Sequence, residues 1–467
     1  MRSAVRGLLQ VLPSVLLHAC YSSPSPSAVS EADVAAALEQ RARNGETVKA
    51  AIEIAALEPL GIPVPAVPPG EQLLDMDADS ADFWHACALA FAPSVRAARH
   101  EFRATRLEQT AAGSVQPLGL EVDNVDFGGP DRETEVTLTV ELLSLFSAGR
   151  SGAARTLAQA RTRAQLASLE SSAWAALFAV DRARLDLAAA RTLESRLLEL
   201  KASAELDRPR IEILGERGWL PSSVLDRAIG SLYMIDNAIT QARIAISEGQ
   251  RALAQSAGLL PDHPLIARVS PATLERQLQQ ARGERVVPAL EQVARVHPLT
   301  RRRLVEYALA EAELRVMVNE AVPEVRIGPQ GVFSADPFLL GGFLEVSFPL
   351  PGTIGPRVNA AVERRAAARS ALEDEVSALY SALKHKVEEL AQTLIHHDQH
   401  LQFTHASMRR MFDATRAEFK VDQRSIERWT FNLDETVRSL VEVVQGARAA
   451  AEAALDLDDL RGPPAEG

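Results

Sequence analysis

The residues best equipped for chemistry are the histidines of His396-His397-Asp398-Gln399-His400, with His405 a few positions on. On a helix His396 and His400 share one face a turn apart, a spacing at which two imidazoles can hold a soft divalent ion such as Zn²⁺ or Cu²⁺. The chemistry within reach is a transient metal contact; the plainer reading is a solvated helix face. A second group consists of carboxylates, Glu121, Asp123, Glu135, Glu141 and Glu345, set against one cation, Arg326. A row of acids on a wetted surface attracts cations and repels anions. It can equally do no more than keep that surface hydrated. Nothing resembles a reaction centre: there is no Gly-rich phosphate loop, no Gly-x-Ser-x-Gly elbow and no His-Glu-x-x-His helix, so neither an enzyme nor a cofactor is expected.

The frame that must position these groups is large. The chain has 467 residues, 47% hydrophobic and 24% charged, which is ample for a folded core. Its formal charge of −12, from 50 basic and 62 acidic residues, speaks against a nucleic-acid binder, whose affinity rests on clustered cations. Two cysteines, Cys20 and Cys87, are too few for a disulfide framework. Past the N-terminus no apolar run approaches the roughly 18 to 20 residues of a membrane-spanning helix, so any passage through lipid falls to strands.

The N-terminus reads as an export signal. Arg2 and Arg6 flank a short apolar core from Leu8 to Leu17, and Leu16-Leu17-His18-Ala19-Cys20 resembles a bacterial lipobox. Residues 1–19 are expected to be removed, leaving Cys20 to carry lipid; the other possibility is an ordinary signal with an incidental cysteine. Residues 20–72, opening with a Ser/Pro-rich stretch, suit a tether.

Two segments dominate the remainder. Ala153 to Arg208 and Arg357 to Gln445 contain neither glycine nor proline, and both predict helix. In the second, Leu372, Val376, Leu379, Tyr380, Leu383, Val387, Leu390 and Leu394 recur at the three- and four-residue steps of a coiled-coil seam. The halves also repeat each other. Ala92-Pro93-Ser94 matches His297-Pro298-Leu299, each opening a short helix, and Gly149-Arg150-Ser151 matches Gly355-Pro356-Arg357, each opening a long one. The first unit is placed at 73–260, an equatorial connection at 261–287, the second unit at 288–460 and a tail at 461–467. The long helices are expected over 151–206 and 357–419, with helices of the lengths of Ser94–Gly113 plus Ser222–Ala257 stacked beside the first.

Each unit carries a strand pair between its short and long helices. From Glu133 to Leu142, Val136, Leu138, Val140 and Leu142 alternate with Glu135, Thr137, Thr139 and Glu141, giving one apolar and one polar face. The strands are placed at about 118–127, 133–143, 323–333 and 341–350, with a bulge near Asn124. Phe127, Phe146, Phe333, Phe338, Phe343 and Phe348 lie in or beside them, as an interfacial aromatic girdle requires. Four strands of that length cannot close a barrel, and unpaired edges in lipid cost several kcal/mol per backbone group, so other copies must meet them. Two copies would give the minimum of eight strands and three would give twelve.

With these residues in place the chain resembles the TolC-type outer-membrane efflux factors over about Leu73 to Leu460. The signal or lipobox, the duplicated helix–hairpin–long helix–helix unit, the Glu121-Val122-Asp123-Asn124 to Phe127-Gly128-Gly129 hairpin and the Phe348-Pro349-Leu350-Pro351 exit carry the resemblance. It implies a mainly α fold with a small transmembrane β part: a homotrimer whose twelve-stranded β-barrel continues as a long periplasmic α-helical barrel. The implied role is a passive exit duct in the outer membrane of a Gram-negative bacterium, fed by an inner-membrane pump through a periplasmic adaptor, with drugs or metals as cargo. The outer component of a type I protein-secretion system shares this architecture, and a periplasmic coiled-coil scaffold without a pore is the alternative from another class. The family's helix tips, which meet the adaptor, carry a Val-Gly-x-x-Ser/Thr turn followed by aspartate. Gly218, Ser223 and Asp226 match it in the first half, with Trp219-Leu220-Pro221 as extra residues. In the second half Val421, Arg424, Ser425 and Ile426 match, whereas Asp422 replaces the glycine and Arg428 stands where an aspartate is usual. Arg424 is expected to pair with a carboxylate such as Glu427 of an adjacent copy and hold the duct closed.

Overall fold

The computed structural model describes residues 80–112, 136–139, 143–144, 147–283, 294–320, 324–333, 339–347, 351–417 and 423–463. The signal segment, Cys20, the tether, the strand expected over 118–127, and Glu121, Asp123, Glu135, Glu141 and Asp422 lie outside them. The first half runs through α1 (Ala81–Phe91), α2 (Pro93–Ala112), β1 (Val136–Thr139), β2 (Leu143–Ser144), α3 (Ser147–Glu205), α4 (Arg208–Glu216) and α5 (Ser222–Ala257). A 3-10 turn (Ile266–Arg268) and α6 (Ala272–Ala281) lead into the second half: α7 (Pro298–Glu320), β3 (Glu324–Phe333), β4 (Leu339–Ser347), α8 (Pro351–Gln399), a π-helical segment (His400–His405), α9 (Ala406–Ala417) and α10 (Gln423–Arg461).

Pro93 and Pro298 each occupy the first position of their helices, where a missing N–H costs nothing. The expected bounds of α2 and α5 hold to within one residue. Three features depart from expectation. The second long helix starts at Pro351 rather than Arg357, so Pro356 lies inside it and forgoes one backbone hydrogen bond. That helix is interrupted by one stretch of π geometry. A short helix, α4, follows Asp207, with Pro209 in its opening turn.

The 59-residue α3, about 88 Å long at about 1.5 Å per residue, is the spine. Helices α1, α2, α5, α6, α7 and α10 all pack against it, while α8 packs against α7 and α10. Small residues permit close approach: a Cβ placed on Gly249 of α5 would stand 3.1 Å from the Leu187 backbone of α3. In the second half Leu379, Leu383 and Leu390 are buried with Ala281, Ala453, Ala454 and Leu457, and Val387 and Leu394 pack against them. The upper end of that seam stays open, where Leu372, Val376 and Tyr380 line a groove of about 400 Å³.

At the middle of the helices, α1 is nearly engulfed, with Trp84 and Cys87 fully buried. Burial pushes the Cys87 thiol up to about 12, which makes it a packing residue and no nucleophile. The His85 imidazole meets Asp181 at 2.6 Å, and Arg184 donates to the other oxygen at 3.0 Å. Arg191 donates to the carbonyls of Ile266, Ala267 and Val269, fixing the equatorial connection to α3. The end of α10 is fastened there too, through Arg182 to Asp456 and Asp459 at 2.8 and 2.9 Å.

The strands form one antiparallel sheet in which β3 pairs with β4 on one side and with β1 and β2 on the other. The first half therefore contributes a strand directly to the hairpin of the second. Register joins Val325 to Val346 and Ile327 to Leu344, so the expected apolar face is continuous across the hairpin. Between Thr139↔Gln330 and Leu143↔Ile327 the pairing slips by one residue. The slip places Ile327, and not Arg326, opposite Leu143, so Val136, Leu138 and Leu143 fall at register positions of one face. Of the phenylalanines expected to form a girdle, Phe333 and Phe343 lie within the described strands, in register with Val136 and Gly328, and Phe127, Phe146, Phe338 and Phe348 lie outside the described residues. Among the described residues no helix is long and apolar enough to cross a membrane.

Candidate functional site: the helix tips and the histidine face

At the first tip, α4 closes with a glycine-dependent cap. Gly218 adopts φ 66°, its N–H bonds the Gly215 carbonyl at 2.9 Å, and the Trp219 N–H bonds Leu214 at 3.0 Å. This pair of bonds is a Schellman cap, and the left-handed backbone at its centre explains why glycine stands there. Trp219-Leu220-Pro221 form the link into α5: Trp219 is 58% exposed with Arg217 stacked 5.2 Å from its ring, while Leu220 turns inward. Gly218, Ser223 and Asp226 are all exposed, as docking residues must be. At the second tip Arg424 is exposed, and Ser425 and Glu427 are half-buried.

The two tips are joined by a group that the sequence reading missed. Asp207, at the N-cap of α4, has a side chain only 5% exposed. Its Oδ2 accepts from Arg416 Nε at 2.7 Å and from Trp429 Nε1 at 3.1 Å. Arg416 Nη1 donates onward to Ser203 at 2.6 Å, and its guanidinium lies over the Phe412 ring. One carboxylate thus draws together the ends of α3 and α9 and the starts of α4 and α10. Pro209 just after Asp207, and Arg416 in the last turn of a long helix, were the available signals.

Behind this clasp the α9–α10 pair is zipped by polar groups. Asn432 donates to Thr415 Oγ1 at 2.7 Å, Thr436 to the Met408 carbonyl at 3.3 Å, and His405 Nδ1 meets Ser439 Oγ at 3.1 Å. The metal candidates lie beyond. His396 and His400 stack with ring centroids 4.7 Å apart, and His400 Nδ1 stands 3.3 Å from Glu442 Oε2. His396 and Glu442 line an open groove of about 510 Å³ between α8 and α10. Among the described residues no group of three His, Cys, Asp or Glu converges to hold a metal ion. The structure therefore shows two adjacent imidazoles without a third ligand.

Arg326 and Glu345, the two proposed pore-lining charges within the described residues, are direct cross-strand partners, and a third strand charge, Glu324, is paired in register with Ser347.

No family model matches the chain, and no curated protein matches it in sequence. Its fold is nevertheless shared with solved structures. CusC, described in terms of folding and transmembrane channel formation, aligns with a TM-score of 0.70 at 12% identity, covering 82% of this chain and 92% of that one. The open-state MtrE outer membrane channel of Neisseria gonorrhoeae aligns at 0.68 and 14% identity, covering 82% and 89%. The CmeC outer membrane channel of Campylobacter jejuni aligns at 0.65 and 11%, covering 86% and 88%.

Proposed function

From a fold held in common with outer-membrane channels, we propose that this chain is one third of a TolC-type exit duct. Three copies close a twelve-stranded barrel in the outer membrane, and their helices continue it into the periplasm. Substrates arrive from an inner-membrane pump through a periplasmic adaptor seated on the exposed tip residues; the protein supplies no energy and performs no catalysis. The sheet carries this reading. An antiparallel sheet with one continuous apolar face, set between the long helices of both halves, has no purpose in a plain coiled-coil scaffold but suits a wall between lipid and water. Exposed apolar side chains, among them Tyr233, Phe403 and Phe431 on the helices and Leu206 in the turn after α3, at 60 to 70% exposure, suit burial against sister copies in a closed ring. The Cys20 lipid would hold the subunit to the membrane.

The decisive experiment is native mass measurement of the detergent-solubilised protein together with planar-bilayer recording. A homotrimer with discrete conductance steps is expected; a monomer without conductance overturns the proposal. Phe403→Asp is expected to leave helix content intact while shifting the particle toward monomer. Transient Zn²⁺ or Cu²⁺ contact at His396 and His400 is tested by equilibrium binding to the trimer, which His396→Ala with His400→Ala should abolish. Absence of binding in the wild type removes the metal cargo reading and leaves the duct.

A further inference from the structure

The end of the first long arm is a rigid block. Beneath α4, Ile211 and Leu214 are 1 and 4% exposed, and Leu220 in the link is 7% exposed. A Cβ on Gly215 would stand 2.6 Å from Leu225 Cδ2, so α4 lies tight against the start of α5. The Schellman cap fixes the turn between them. Whatever this block presents to solvent is therefore held in place before a partner arrives.

What it presents is a mixed apolar and cationic row. Arg210, Ile213 and Arg217 recur at steps of three and four through α4 and its C-cap, which sets them on one flank of the helix. Arg210 and Arg217 are exposed and Ile213 is 46% exposed; the Arg217 guanidinium over the Trp219 ring extends the row to the indole. Arg208, on another side of α4, is occupied by Glu212 at 2.8 Å and Glu205 at 3.6 Å. Among the described residues Arg210 and Arg217 meet no carboxylate. Arg and Trp are the side chains that most often anchor an interface, and a bare isoleucine and indole beside two free guanidiniums leave both kinds of contact unmade.

We propose that Arg210, Ile213, Arg217 and Trp219 seat a helix of a partner protein that carries two carboxylates seven residues apart, with apolar residues between them. Arg210 and Arg217 are themselves seven positions, about 10.5 Å of helix, apart, so a partner helix lying alongside meets both with acids two turns apart. Its apolar residues at the intervening turn cover Ile213 and the indole. An anionic lipid surface fits less well, because Glu212 and Glu216 stand on the same short helix and would face its charge. A basic helix is repelled. The seat rests on the exit-duct reading for its partner, the periplasmic adaptor, and assigns that adaptor its chemistry.

Photocrosslinking of the full-length protein in its native cells, with p-benzoylphenylalanine in place of Ile213 or Trp219, tests it. An adduct is expected whose partner peptide, read by mass spectrometry, lies in an amphipathic helix with Asp or Glu seven positions apart. Arg210→Glu with Arg217→Glu should lower the adduct yield at least about tenfold, and exchanging the two partner acids for Lys should restore it. Arg208→Gln should leave the yield within about twofold. Should the double reversal not fold, Arg210→Gln alone is expected to lower the yield about threefold. Native mass and bilayer conductance are measured on the same variants. A conducting trimer that gives no adduct removes the seat and leaves the duct; an adduct from a particle that neither trimerises nor conducts removes the duct and leaves the seat. Adducts only with a sister copy or with lipid, a partner segment without paired acids, or a yield indifferent to the arginines overturns the proposal.

Discussion

Asp207 and Arg416, 209 positions apart in sequence, meet at 2.7 Å in a nearly solvent-free contact and so fasten the two tips of the subunit together. Because Trp429 donates to the same oxygen, removing the carboxylate strands a guanidinium and an indole N–H at once. Breaking one side of a buried pair costs on the order of 3 kcal/mol. Asp207→Ala is therefore expected to lower the denaturation midpoint clearly and to accelerate exchange around the tips. A double-mutant cycle with Arg416→Ala should return a coupling above about 1 kcal/mol. A coupling near zero would mean that the contact carries no weight.

Of the three described left-handed glycines, Gly218 and Gly258 make opposite demands. Gly258 caps α5 at φ 67°, and a Cβ there would stand 2.2 Å from the Phe91 carbonyl oxygen. Gly218 has nearly the same φ but open space around it. Gly218→Ala should thus cost only the backbone penalty, roughly 1 to 2 kcal/mol. Gly258→Ala should cost more, because α1 must also be displaced. Thermal unfolding of the two variants side by side checks the order, and equal losses would refute the steric argument.

The sequence told much of the helical frame and little of the clasp, for a physical reason. Helix bounds depend on local signals: Pro93 and Pro298 marked the starts of α2 and α7, and the glycine-free runs placed α3 and most of α8. The seam of Leu379, Leu383 and Leu390 was legible because period alone defines it. Asp207 and Arg416 were not, since each is an ordinary charged residue until the fold brings its partner from 209 positions away. The slip that aligns Leu143 with Ile327 was hidden likewise: unbroken alternation through Leu142 predicts no slip, and only the partner strand imposes one.

Glu170 offers a pH test outside the tips. Its side chain is only 5% exposed, with Arg301 at 3.3 Å. Burial raises its pKa more than Arg301 lowers it. An acid with a raised folded pKa binds its proton more tightly when folded, so it penalises the fold at neutral pH and the penalty fades as pH falls toward its ordinary 4.5. Glu170→Gln is expected to raise Tm by about 2 °C at pH 7.5, with the gain shrinking toward pH 4.5. A variant that is less stable at pH 7.5 would show that the Arg301 contact outweighs desolvation.

The strand charges set the last prediction. Register pairs Arg326 with Glu345, so in the proposed pore these two are expected to offset one another, leaving Glu324 with Glu121, Asp123, Glu135 and Glu141 to set its preference. Carboxylates lining a narrow aqueous path concentrate cations, and the effect weakens as salt screens it. Reversal potentials across a salt gradient should therefore report a cation preference of about threefold or more at low ionic strength, fading toward molar salt. Arg326→Gln should raise that preference by freeing Glu345, and Glu345→Gln should lower it by leaving Arg326 uncompensated. If both variants shift in the same direction, the two residues do not share the wet face that their register assigns them. Equal anion and cation permeability in the wild type would show that the acids only hydrate the wall.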